Sequence, residues 1–453
     1  MRYYITLAFL LYSFSVTFCQ PKYEDTWQSL NKRPIPAWFT DAKFGIFIHW
    51  GLYSVPSWAT NSNADGFGSN YAEWYWERLN NSKLKIHKEF VAFHEKTYGP
   101  HFKYQDFAPK FTCELFDPAL WADIFKNAGA KYVVLTSKHH DGFALWPSAE
   151  SWNWNAVDAG PHRDLAGDLT RAVKDAGLHM GFYYSLYEWY NPLYRQDVKK
   201  YVDSHMLPQL KDLVIKYQPD VIWPDGEWDH SDTVWRSREF LKWLYNESPV
   251  KNTVVTNDRW GSGRDNGGFH TSEYGSGKSG PGKAWEECRG IGESFGYNRN
   301  ESLEQYASSE QLVHQLVDIV SRGGNLLLNI GPAADGTIPV IMQQRLKDIG
   351  DWLKVNGEAI YGTEAWDKSQ AKGNDIFFTK KGRDLYMIVT KWKDKIELEG
   401  MPAIKSISMP GYSGKISWRN KSGKLTVTAP SLNPSNIPCR YAWVYKLVMS
   451  SEL

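Results

Sequence analysis

The residues best placed to do chemistry lie in Trp223-Pro-Asp-Gly-Glu-Trp-Asp229. This stretch follows Pro219-Asp-Val-Ile-Trp223, an apolar run that reads as a buried strand. Asp225 therefore falls at the C-terminal end of a strand, between two tryptophans. Glu227 and Asp229 compete with it. They lie further along a glycine-containing turn that would ordinarily be a solvated acidic loop, so Asp225 is favoured. A carboxylate at such a place becomes a reaction centre when a second one faces it. One acid attacks or stabilises, the other carries a proton, and flanking aromatic rings hold the C–H faces of a sugar; together they can break a glycosidic bond. The second acid has several candidates: Glu273 in Thr271-Ser-Glu-Tyr274, and Glu286 or Glu287 in Trp285-Glu-Glu-Cys288. Spacing does not choose among them.

Other polar residues follow apolar runs in the same manner. These are His49 in Phe47-Ile-His-Trp-Gly51, the pair His139-His140, Tyr183-Tyr184, and Arg259 in Asn257-Asp-Arg-Trp260. Each histidine alone reads as a satisfied core residue. Polar groups recurring at the same end of several strands are hard to explain as packing, and at the C-terminal face of a parallel barrel they read as a site. Metal ligation is not expected. The chain has no His-x-His or His-x-x-x-His spacing here, and adjacent histidines on an extended chain point to opposite sides. No cofactor is expected either.

The elements that must position these residues are legible as alternating patterns. Strand-like runs occur at 44–49, 132–137, 180–185, 221–223, 254–257 and 326–330. Between them lie amphipathic segments. One carries Leu120, Ile124 and Ala128 before Gly129, another Leu165, Leu169 and Val173 before Gly177. A third spans 308–322 with Leu312, Leu316, Ile319 and Val320, and has serines at its start as caps. Alternating strands and helices argue for a mostly parallel sheet. The predicted fold class is α/β, an eight-stranded (β/α)8-like barrel of irregular form. A doubly wound sheet would want a glycine-rich phosphate turn after its first strand, and His49-Trp-Gly-Leu is not one. After Tyr361 the pattern becomes short alternating runs at 376–379, 385–390, 396–398, 415–418, 425–428 and 441–447, which predict an all-β sandwich. The expected division is a signal at 1–19, a barrel at 20–362 and a sandwich at 363–453.

Composition bounds the partners. With 453 residues and a net charge of +1, nothing suggests nucleic acid or an anionic membrane. The 22 Trp, 26 Tyr and 21 Phe allow a large core. Residues 1–19 carry one basic residue and then an apolar run, which predicts a secretory signal cut near Cys19–Gln20; a signal anchor and a lipid-modified Cys19 are the alternatives. No membrane span is expected in the mature chain. Cys113, Cys288 and Cys439 then remain, an odd number without metal-ligand spacing, so a disulfide framework is not expected. Monomer and homo-oligomer both stay open.

Taken together, six stretches resemble the α-L-fucosidases of glycoside hydrolase family 29. They are Lys43-Phe-Gly-Ile-Phe-Ile-His-Trp-Gly51, Tyr71-Ala-Glu-Trp74, Lys138-His-His-Asp-Gly-Phe143, Asn257-Asp-Arg-Trp-Gly261, Ser294-Phe-Gly-Tyr-Asn298 and Gly323-Gly-Asn-Leu-Leu-Leu-Asn-Ile-Gly331. The resemblance implies an irregular (β/α)8-like barrel followed by a β-sandwich that removes terminal α-L-fucose from glycans with retention of configuration. It implies that Asp225 is the nucleophile and Glu273 the general acid/base. It also implies fucose recognition by His49, Glu73, His139, His140, Tyr183, Trp223 and Arg259, with Phe295 near the C5 methyl. Two departures stand out. The family pattern Lys-Trp-Glu-x-Cys appears here as Lys283-Ala-Trp-Glu-Glu-Cys288, which keeps Glu286 as reserve acid/base. The segment 61–70 matches the family poorly. A secreted fucose-binding lectin without turnover is the alternative reading, opposed by the paired carboxylates; a metal-dependent amidohydrolase on a barrel is the other rival.

Overall fold

The computed structural model describes residues 22–263, 266–275, 283–366 and 375–451. The expected signal at 1–19 lies outside the described residues. Eight parallel strands form one curled sheet: β1 (Phe44–Ile48), β2 (Tyr132–Lys138), β3 (His179–Ser185), β4 (Val221–Asp225), β5 (Val255–Thr256), β6 (His270–Glu273), β7 (Trp285–Gly290) and β8 (Asn325–Ile330). Their order is β5-β4-β3-β2-β1-β8-β7-β6. The two edges meet through a single parallel bridge, Asn257 with Phe269, where the Phe269 N–H donates to Thr256 O at 3.0 Å. Gly268 makes that meeting possible. A Cβ there would sit 1.4 Å from Thr256 O. The barrel is thus irregular at one seam, with a two-residue strand on one side of it.

Period-two alternation sorts the strand residues. Phe44, Ile46, Ile48, Val133, Leu135, Phe182, Ile222, Leu326 and Leu328 pack outward against the helices. Phe47, Tyr132, Val134, Tyr183, Val221, Trp223, Cys288 and Leu327 fill the barrel interior. The helices behave as the spacing predicts, with one exception. In Pro118–Asn127 the buried residues are Trp121, Ala122 and Phe125, while Leu120 is exposed. The larger aromatics took the inward stripe from the leucine, because they bury more apolar area. Helix Leu165–Asp175 buries Leu165, Leu169 and Val173. Helix Ser309–Ser321 starts on a Ser308 cap with a capping box to Gln311.

Two antiparallel sheets follow. One has five strands: β9 (Glu364–Ala365), β10 (Ile376–Lys381), β11 (Asp384–Val389), β13 (Ile404–Ser408) and β16 (Trp443–Met449). The other pairs β12 (Lys395–Leu398), β15 (Lys424–Thr428) and β14 (Ser417–Lys421). Leu385, Met387 and Leu447 of the larger sheet share a core with Ile396, Leu425 and Val427 of the smaller, which makes a sandwich. The opposite face of the larger sheet, with Tyr386, Ile388 and Val444, packs on the barrel's own core. Trp352 Nε1 donates to Ala442 O at 2.8 Å across that junction. Strand β13 and the short β9 had no counterpart among the expected runs.

Cys113, Cys288 and Cys439 are free. Among the described residues no helix is long and apolar enough to cross a membrane.

Candidate active site

The C-terminal ends of the barrel strands surround a cavity of about 360 Å³, in the range that holds a small ligand. Asp225, Glu273, His49, Glu73, His139, His140, Tyr183, Trp223, Arg259 and Phe295 all line it. Alternation explains the placement. On β4, Val221, Trp223 and Asp225 point inward, so the aspartate tops a stack of barrel-core residues. His49 continues the inward register of Phe47 one step beyond β1.

Asp225 is the most tightly held group. Arg259 NH1 donates to its Oδ1 at 2.5 Å, and Tyr183 OH donates to its Oδ2 at 2.9 Å. Burial pushes the Asp225 carboxyl up, but the Arg259 guanidinium and the Tyr183 hydroxyl outweigh it and hold it below the usual carboxylate range. Arg259 itself lies over the Trp223 ring at 4.6 Å and donates through Nε to Thr271 Oγ1. Its NH2 reaches Glu273 Oε2 at 3.3 Å. One guanidinium thus contacts both carboxylates. Glu273 also accepts from Tyr71 OH at 3.4 Å, and its side chain keeps about a quarter of its surface exposed (26%), against 11% for Asp225.

The other acids of the two loops are elsewhere. Asp229 accepts from Tyr194 OH at 2.9 Å, away from the cavity. Glu227 is buried outside the cavity wall. Glu286 faces the barrel interior but does not line the cavity. It accepts from Tyr132 OH at 2.5 Å and from Trp223 Nε1 at 2.8 Å, and burial pushes it up to about 7. In the pairing of β6 with β7, Glu286 stands beside Thr271 and Cys288 beside Glu273. Two residues of strand put Glu286 about 7 Å below the level of Glu273. Glu287 points outward and pairs with Arg289 at 2.6 Å.

The histidines are neutral. Burial lowers His49 to about 3, His140 to about 4 and His139 well below its ordinary value. Their tautomers follow from their partners. Asn329 Nδ2 donates to Phe295 O at 2.7 Å, which turns Asn329 Oδ1 toward His49 Nδ1 at 2.7 Å. Nδ1 of His49 therefore carries the proton and Nε2 a lone pair. His140 repeats the device: Ser185 Oγ donates to Tyr187 O at 2.5 Å and so accepts from His140 Nδ1 at 2.6 Å. His139 stacks on Tyr183 with 8° between the rings, and its buried Nδ1 has no partner among the described residues. Glu73, in the 3-10 turn Ala72–Trp74, is 2% exposed. Its Oε2 accepts from Gly296 N at 2.8 Å and Ser294 Oγ at 3.3 Å. Burial still pushes Glu73 up to about 8, so it is protonated at neutral pH.

The cavity therefore offers one held anion, one cation between two carboxylates, a second and more open carboxyl, neutral imidazoles with acceptor nitrogens, a carboxylic acid and aromatic walls. That set recognises a neutral polyhydroxylated ring with an apolar edge and can cleave a bond to its ring carbon. Among the described residues no group of three His, Cys, Asp or Glu is arranged to hold a metal ion.

Comparison with known proteins agrees with this chemistry. The α-L-fucosidase family model matches residues 11–358, and the model of the α-L-fucosidase C-terminal domain matches 369–448. The chain belongs to the α-L-fucosidase family. An α-L-fucosidase of Branchiostoma floridae is 43% identical, with 97% of this chain and 99% of the relative covered. The tissue α-L-fucosidase of Homo sapiens is 43% identical over 98% of this chain and 96% of its own length. The crystal structure of Thermotoga maritima α-fucosidase in complex with fucose superposes with a TM-score of 0.80 at 40% identity, covering 94% of this chain and all of that one.

Several residues in or behind the cavity wall had no role in the sequence reading. Tyr71 and Trp74 lie inside the quoted motif Tyr71-Ala-Glu-Trp74, and Asn329 lies inside Gly323–Gly331, yet only the fold shows what they touch. Alternation along β8 from Leu327 would have turned Asn329 inward, and the same rule from Glu286 finds Cys288. Phe67 reaches the cavity from a loop, where no periodicity exists to find it.

Proposed function

We infer that the protein hydrolyses terminal α-L-fucose from fucosylated glycans with retention of configuration, with Asp225 as nucleophile and Glu273 as general acid/base. The observation that carries this reading is Arg259 between the two carboxylates. It favours the ionised form of Asp225, the form that can attack C1, and it sets Glu273 beside it. Retaining enzymes work with two carboxyls about 5–5.5 Å apart, a separation suited to two groups sharing one guanidinium.

In the first step an Asp225 oxygen forms a bond to C1 as the bond from C1 to the leaving oxygen breaks. Glu273 delivers its proton to that oxygen. In the second step Glu273, now a carboxylate, takes a proton from water as the water oxygen bonds to C1 and the ester to Asp225 breaks. Tyr183 and Arg259 accept the returning charge on Asp225 through hydrogen bonds already in place, which costs no reorganisation. His49 and His140 present Nε2 lone pairs to sugar hydroxyls, Glu73 can donate its proton to another, and Phe295 with Phe47 forms the apolar wall for the C5 methyl.

We also place the module boundary near 362–363 and read residues 1–19 as an export signal cut near Cys19. The relatives include tissue and plasma α-L-fucosidases, which supports export. A proton NMR time course with an aryl α-L-fucoside tests the function. Early α-fucose, before mutarotation, is expected. Early β-fucose would mean inversion and overturn the role of Asp225. Binding of fucose without release would favour the lectin.

A further inference from the structure

A buried ion pair lies behind the cavity wall. Lys138 Nζ donates to Glu188 Oε2 at 2.8 Å, the side chains are 0% and 3% exposed, and neither residue lines the cavity. We propose that Lys138 and Glu188 are positioning residues for the sugar-binding histidines: their ion pair locks the loop after β3 onto the end of β2 and so fixes His139 and His140. The proposal rests on the fucosidase reading and adds to it the device that holds its recognition groups in place.

Register explains how a lysine comes to lie there. Strict alternation from the inward Val134 would turn residue 138 into the barrel. The pairing of β2 with β3 instead shifts by one residue, with Thr136 beside Tyr183 and Lys138 beside Tyr184. That bulge turns Lys138 outward and gives His139 the inward place, where it lines the cavity. The Lys138 ammonium lies over the Tyr184 ring at 4.2 Å. Tyr201 OH donates to Glu188 Oε2 at 2.9 Å, and His205 Nε2 lies 3.3 Å from the same oxygen.

The loop after β3 carries the lock to the site. Ser185 Oγ accepts from His140 Nδ1, Leu186 N donates to Asp225 O at 2.8 Å, and Trp189 N donates to His140 O at 2.7 Å. Glu188 sits among these contacts and next to Trp189, as Lys138 sits next to His139. The Trp189 ring meets the His140 ring at 5.3 Å. The histidine turn closes on the same carboxylate. Gly142 N donates to His139 O at 3.0 Å, and Gly142 has φ of 75°. A Cβ there would lie 2.5 Å from Glu188 Oε1, so only glycine lets the turn approach so closely.

A buried ion pair contributes little net stability, because the desolvation of both charges offsets their attraction. It does hold one geometry, since a charge that leaves its partner stays buried and uncompensated. A shift of either segment would carry a histidine off the sugar hydroxyls, and hydrogen bonds weaken steeply with angle and distance.

The test removes both charges together. Lys138→Met combined with Glu188→Met leaves neither charge of the pair behind, and Tyr201 OH keeps Leu186 O as an acceptor at 3.1 Å. Urea unfolding is expected to stay near that of the parent. KM on an aryl α-L-fucoside and the Kd of fucose are both expected to rise about tenfold, with kcat changing less than about threefold. Nitrogen NMR should show the His140 Nδ1 signal displaced from its parental position. Tyr201→Phe withdraws one bond from Glu188 and should raise KM about threefold; it decides by the same readouts if the double variant does not fold. A pair that serves stability alone would move the urea midpoint and leave KM, Kd and the histidine signals at parental values. That result in the double variant, or in Tyr201→Phe where the double variant is unfolded, overturns the proposal while the fucosidase reading stands. If the parent neither binds fucose nor cleaves the fucoside, the fucosidase reading falls and the proposal falls with it.

Discussion

Arg259 and Asp225 form a buried ion pair of 2.5 Å in which the cation also reaches Glu273. The pair sets the ionisation of Asp225. Without the cation, burial would push the Asp225 carboxyl above its ordinary value of 3.8. Arg259→Met should therefore move the acid limb of kcat/KM to higher pH and lower the plateau by at least about a hundredfold. A pH–rate profile checks this. An acid limb that stays where it was would show that Asp225 is not the group being held.

The two candidate acids separate by what a glutamine can replace. Glu273→Gln removes a proton donor and should cut turnover of poor leaving groups by about 10³, with a much smaller loss on a leaving group that needs no proton. In Glu273→Ala, azide should restore activity on aryl fucosides. Glu286→Gln keeps an acceptor for Trp223 Nε1 and a partner for Tyr132 OH, so activity should stay within about tenfold. The opposite order in steady-state kinetics would move the acid/base role to Glu286.

Glu73 makes the fold pH-sensitive in a direction opposite to that of a salt-bridged acid. Its carboxyl ionises near 4.5 when unfolded and at about 8 when folded. Between those values the native state keeps a proton that the unfolded chain releases, so this group lowers stability as pH rises through the window, and the loss levels off above about 8. Glu73→Gln, always neutral, should be more stable at pH 7 by about 3 kcal/mol and equal to the parent near pH 4. Urea unfolding at the two pH values measures it. An equal difference at both would rule out titration of Glu73 as the cause.

Asn329 decides which nitrogen of His49 carries the proton. Nitrogen NMR of the protein at pH 6 should show His49 protonated at Nδ1 and bare at Nε2, since burial holds the ring neutral down to about 3. Asn329→Leu removes the acceptor that Nδ1–H uses among the described residues and should weaken fucose binding by about 1–3 kcal/mol. Affinity unchanged by that substitution would remove Nε2 of His49 from substrate recognition.

The barrel was legible wherever burial alone chose the residues. β1, β2, β3 and β8 are apolar on both faces, because helices cover one side and the interior fills the other. β6 and β7 escaped, and the reason is functional. His270–Glu273 and Trp285–Gly290 carry Glu273, Glu286, Glu287 and Arg289, so the polar groups that the site and its supports require erase the apolar pattern that marks a strand. In the sandwich, Ile404–Ser408 escaped because it is a mostly exposed edge strand with only Ile407 buried.

The sequence by itself determined the family, the alternation of strands and helices, the change to a β module, and Asp225 as the acid at a strand end. These are local properties: residue type, period and order along the chain. Tertiary structure alone decided that Glu273 rather than Glu286 meets Asp225 in the cavity. Both acids belong to adjacent inward-facing strands, and the difference is one layer of barrel height, set by the register of β6 on β7. The structure alone also showed that Arg259 bridges both carboxylates. Those contacts join residues far apart in the chain, and no spacing in one dimension encodes a distance in three.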